Sequence, residues 1–144
     1  ELNNLTATRY DHSGCGANSE AALSFGGRPD TADTELWNGT NWTEVNDLSV
    51  NRTKAGAAGT SNTSGVIFGG NASPLDHSGF TESWNGSNWT ELADLNTGRY
   101  GMAGAGTKTT GLAFGGRTGD SPELSAATEE FSDSALETKT ISTS

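Results

Sequence analysis

The side chains equipped for chemistry are few and fall in three places: Arg28, Asp30 and Asp33; Asp76, His77 and Phe80; and Arg117, Asp120 and Glu123. Carboxylates such as Asp30, Asp76 and Asp120, brought close with one in an apolar setting, would divide the acid and base roles of a glycosidase or lyase. Without such a pair, planar hydrogen-bonding groups beside an aromatic ring suit the binding of a saccharide instead. Neither His12 nor His77 stands at a spacing that joins it to a nucleophile and a third orienting group, so no catalytic residue is assigned. A transition-metal cage needs more histidine or cysteine than this, and no calcium-loop pattern accompanies the aspartates. No metal or other cofactor is therefore expected. The one cysteine, Cys15, lies in the small-residue run SGCGA and reads as a small buried side chain.

The elements that must carry these residues are written in a repeat. WNGTNWTEVNDL, Trp37 to Leu48, returns 47 positions later as WNGSNWTELADL, Trp84 to Leu95. AALSFGG, GVIFGG and GLAFGG end at Gly27, Gly70 and Gly116. Upstream of each stands an arginine, Arg9, Arg52 or Arg99, followed by small residues; downstream stand TELW, TESW and TEEF from Thr34, Thr81 and Thr128. Each copy reads as four short strands: a Gly/Ala-rich strand crowded by other backbones, an apolar strand ending in Phe-Gly-Gly, a third ending at Trp37, Trp84 or Phe131, and a fourth beginning around Trp42, Trp89 or Leu136. The Asn-Gly between the last two is a hairpin signal, because both residues tolerate positive φ. No stretch has a sustained helical period.

A four-stranded unit recurring about every 47 residues predicts an all-β chain, a β-propeller of three blades at approximately 1–43, 44–90 and 91–144 in one domain. The Gly-Gly pair after an apolar strand, the aromatic and tryptophan of the next hairpin, and the arginine before a glycine-bearing strand together resemble the kelch repeat, across all three copies. Tyrosine is usual in that family where Trp37 and Trp84 stand, and the third copy has Phe131 and Leu136 in place of both tryptophans. The wording WNG-NWTE…GAG…FGG is also similar to kelch-like repeats of marine bacteriophage structural and fibre proteins. Some kelch proteins are copper oxidases; this chain has no matching ligand set.

Closed propellers typically have four to eight blades. Three blades leave two faces carrying Leu, Val, Ile and Phe without a neighbour, and each such side chain is worth roughly 2 kcal/mol when buried. The expected partner is a second copy, giving a homodimer that completes a six-bladed ring; the alternative is a longer array of which these residues are part. The chain opens at Glu1-Leu2, which aligns with Glu44-Val45 and Glu91-Leu92.

A net charge of -10 disfavours nucleic acid and anionic membrane surfaces. No apolar run reaches membrane-span length, so no membrane insertion is expected. Eight Asn-X-Ser/Thr triplets occur, but four belong to the two Trp-Asn-Gly turns, where Asn, Ser and Thr are ordinary turn residues.

Positions that recur in every copy, Arg9/Arg52/Arg99 and Glu35/Glu82/Glu129, are expected to be scaffold. Length varies in the connection between second and third strands: six residues from Arg28 to Asp33, ten from Asn71 to Phe80 and eleven from Arg117 to Ala127. That rim, shared with the turns joining successive blades, is the candidate binding face and carries the nine residues named at the outset. The reading is a non-enzymatic binding or structural interaction module, with a glycan or protein receptor as candidate ligand and an extracellular or virion-surface setting favoured. The alternative is a glycosidase- or lyase-type enzyme with acids at the propeller mouth.

Overall fold

The computed structural model describes residues 2–29, 31–119, 123–132 and 137–141, the last stretch as backbone only. The described residues hold no helix and twelve strands: β1 (Ser13–Asn18), β2 (Ala21–Phe25), β3 (Thr34–Trp37), β4 (Trp42–Val45), β5 (Gly56–Ser61), β6 (Ser64–Ala72), β7 (Leu75–Trp84), β8 (Trp89–Glu91), β9 (Ala103–Gly106), β10 (Thr110–Phe114), β11 (Thr128–Ser132) and β12 (Glu137–Ile141). They form three four-stranded antiparallel sheets, β1–β4, β5–β8 and β9–β12, each with its strands side by side in chain order.

The sheets meet through their first strands: β1 packs on β5 and β5 on β9. Small residues make this approach possible. Cys15 of β1 sits against the second sheet, and an ideal Cβ at Gly65 would lie 2.8 Å from its Sγ. The thiol fills space that a side chain at Gly65 would occupy, and it is half-buried, not fully buried as its small-residue setting predicts.

Two apolar clusters fill the gaps between sheets. Leu23 and Phe25 of the first sheet meet Ile67 and Trp84 of the second, with Leu48 beside them. Val66, Phe68 and Ala58 of the second meet Ala113 and Phe131 of the third, with Leu95 and Met102. Trp89 braces the first gap: its ring stands edge-on to Phe25 at 5.0 Å between centroids, and its Nε1 donates to Thr34 Oγ1 at 3.0 Å. The indole thus buries its apolar body and still satisfies its one donor.

The Trp-Asn-Gly hairpins are four-residue loops between paired tryptophans, Trp37 with Trp42 and Trp84 with Trp89. Asn38 Oδ1 accepts from Thr40 N at 3.0 Å and Asn41 N at 2.9 Å; Asn85 Oδ1 accepts in the same way from Ser87 N and Asn88 N, both at 2.9 Å. The asparagine side chain stands in for a backbone acceptor, which is what Asn contributes to turns.

The recurring arginines and glutamates pair inside each repeat. Arg9 Nη2 donates to Glu35 Oε1, Arg52 Nη2 to Glu82 Oε1, and Arg99 Nη2 to Glu129 Oε1, the last at 2.7 Å. The other carboxylate oxygen of each accepts a backbone N–H from the segment leading to the sheet: Thr6 at 2.8 Å, Ser49 at 2.9 Å and Asn96 at 2.7 Å. Residues 3–6 therefore lie on the first sheet as 46–49 lie on the second. Asn3 Nδ2 reaches Thr40 O at 2.9 Å, just as Asn46 Nδ2 reaches Ser87 O at 2.9 Å.

The arginine main chains tie successive sheets together. Gly27 N donates to Arg52 O and Gly70 N to Arg99 O, both at 2.9 Å. Gly69 has φ 57°, and a Cβ there would lie 2.5 Å from Arg99 O, so both conformation and space at this pair call for glycine.

The ten-residue connection from Asn71 to Phe80 differs from its expected form as a loop. β6 and β7 continue as a hairpin past the glycine pair, with irregular register between Phe68 and Ala72, and turn only at Ser73-Pro74. The left-handed glycines permit a bulge instead of a strand end. Asp76, His77 and Phe80 are consequently strand residues. His12 immediately precedes β1.

Candidate rim site

The segment entering each sheet pairs with the segment following its glycine pair: Tyr10 with Arg28, Thr53 with Asn71, and Tyr100 with Arg117. Strand-two-to-strand-three connections and inter-sheet turns therefore share one rim, as the sequence predicts. On it, between the first and second repeats, lies a hollow of about 240 Å³ lined by Arg28, Asn51, Thr53, Asn71, Asp76 and the Ser73-Pro74-Leu75 turn.

Backbone hydrogen bonds at 2.9 and 2.8 Å lock Thr53 and Asn71 to each other. Thr53 is only 2% exposed, yet neither its Oγ1 nor the buried Oδ1 of Asn71 has a hydrogen-bond partner within the protein. Buried polar atoms are usually paired, and leaving one unpaired costs about 1–3 kcal/mol. Arg28 is held at the hollow by Asp11, whose Oδ2 lies 3.5 Å from Arg28 Nε and 3.8 Å from Lys54 Nζ. These side chains are about one-third exposed, so the pairs orient Arg28 more than they stabilise the fold. Leu75, 49% exposed, supplies an apolar edge.

Of the nine residues that the sequence singles out, Arg28 and Asp76 line this hollow. Asp30 and Asp120 lie outside the described residues. Asp33 serves the scaffold: its carbonyl accepts from Gly26 N and Arg9 Nη1, both at 3.0 Å, and its carboxylate lies 3.9 Å from Arg9 Nη2. The Phe80 carbonyl accepts from Arg52 Nη1 at 2.7 Å, and its half-buried ring is not part of the lining. His77, next in the chain to Asp76, is exposed on β7 and is not part of the lining. Arg117 and Glu123 are exposed in the third repeat, where Glu123 Oε2 accepts from Thr118 Oγ1 at 3.2 Å.

Residue type alone does not single out Asn51, Thr53 and Asn71. Their signal was positional: Asn51 and Thr53 flank the recurring Arg52, and Asn71 directly follows a glycine pair. The hollow offers donors and acceptors of both charged and neutral kinds in a small space, but its described lining holds one carboxylate, not a pair. No protein-family model and no curated protein matches this chain.

Proposed function

We propose that the chain is a kelch-like β-propeller module that binds through its rim and takes a small hydroxyl-rich ligand, such as the terminal sugar of a glycan, in the hollow between the first two repeats. The observation that carries this reading is the convergence on one small hollow of Arg28 and Asp76, of opposite charge, with the neutral polar residues Asn51, Thr53 and Asn71. A sugar ring presents hydroxyls that both donate and accept, which suits a guanidinium and a carboxylate set among neutral polar residues. Leu75 offers the apolar edge against which the C–H face of a ring would rest.

The test is a glycan array followed by calorimetric titration of the best binder. Arg28→Ala and Asn71→Ala should each weaken binding about tenfold or more, the loss expected for one buried polar contact. His77→Ala should leave it unchanged. Full binding by Asn71→Ala, or an array on which wild type retains nothing, would overturn the reading.

A further inference from the structure

We infer that the outer faces of the first and third sheets are the two halves of one interface, and that a second copy of this chain joins them head to tail. The chain already makes such an interface twice within itself. In β2, β6 and β10, Leu23/Phe25, Val66/Phe68 and Leu112/Phe114 hold equivalent places before the glycine pair. The first two pairs are covered by the next sheet and are at most 2% exposed, whereas Leu112 and Phe114 are 36% and 38% exposed. Ala105 of β9, equivalent to Cys15 and Ala58, is exposed beside them.

The receiving half stands at the other end. In the second sheet, Gly59, Gly65, Ile67 and Trp89 receive Cys15, Leu23 and Phe25. Their equivalents in the first sheet, Gly16, Ala22, Ser24 and Trp42, line an open hollow of about 510 Å³. Seated there, Leu112 and Phe114 of another copy would meet Trp42 as Phe25 meets Trp89. Thr128 of that copy stands at the Thr34 position, which accepts the Trp89 N–H. Small residues in the receiving face and large ones in the entering face make the two complementary.

The contact follows from the repeat equivalence alone. Closure at two copies rests additionally on the propeller reading, in which six sheets complete a ring. A charge of -10 on each copy opposes association, so pairing should tighten as salt is added.

Sedimentation equilibrium of the whole chain over a range of concentrations, at low and moderate salt, tests this. The mass should level off at twice 14.8 kDa. Phe114→Asp and Ala22→Arg, on opposite faces, should each weaken pairing at least thirtyfold, about the loss of one buried aromatic contact, while circular dichroism shows both folded. An equimolar mixture of the two variants should regain a pair, because one of its two contacts joins an unaltered Ala22 face to an unaltered Phe114 face. A face-to-face contact would not be rescued by mixing, and that result would overturn the proposal, as would a 14.8 kDa mass at every concentration. Mass that climbs without levelling, and that both variants abolish, would uphold the contact and overturn the six-sheet ring.

Discussion

Arg52 and Glu82 carry opposite charges into a place almost without water, their side chains 0% and 1% exposed. Burial lowers the Arg52 pKa, while Glu82 beside it acts in the opposite direction and favours the charged guanidinium. Such a pair is costly to assemble and costlier to break, since removing one partner strands the other. Arg52→Met should lose about 3–5 kcal/mol in urea unfolding, and adding Glu82→Leu should return part of that loss. Cys15 makes a separate prediction. Burial pushes its thiol from 9.0 up to about 11, so above pH 9 the unfolded chain releases a proton that the folded chain still holds. The stabilisation is complete below pH 9 and lost as pH rises through about 11, amounting to about 2–3 kcal/mol at most. Wild type under reducing conditions should lose stability from pH 8 to 10.5 relative to Cys15→Ala, whose difference from wild type would otherwise stay constant.

Among the elements, the glycine pairs decide where strands stop and sheets join. Gly69→Ala meets both a left-handed backbone and the Arg99 carbonyl at 2.5 Å. Gly101 has φ 64° with nothing within 4 Å of its Cβ position, so alanine there carries only the conformational cost of about 1 kcal/mol. Thermal unfolding should therefore place Gly69→Ala well below Gly101→Ala, with the second only a few degrees below wild type. Strand identity was legible in the sequence because strand two of each copy ends on Phe-Gly-Gly and each tryptophan hairpin carries its own turn chemistry. The Arg and Glu roles were legible from their recurrence. The course of the chain from Asn71 to Phe80 was not, because a glycine pair signals a strand end and a bulge equally well, and only packing decides between them. The rim was readable from its varying length, whereas the contribution of Asn51, Thr53 and Asn71 depended on a pairing between segments distant in sequence.

At the scale of the whole molecule, three antiparallel sheets stand in line, each packed on the next. An apolar content of only 31% suffices because those side chains are concentrated in the two gaps between sheets. The same concentration leaves Leu112 and Phe114 as the unspent part of the pattern. Arg52 and Arg99 each belong to two sheets at once: the Arg52 side chain is fixed to Glu82 within its own sheet, while its carbonyl receives Gly27 of the sheet before, and Arg99 repeats this with Glu129 and Gly70. Viewed as a one-dimensional lattice of units, the chain has a nearest-neighbour term made of the apolar cluster in each gap and of this one arginine carbonyl. Melting the second sheet would release the acceptor that orders the end of the first and uncover the apolar side chains between them, so neighbouring units gain or lose structure together.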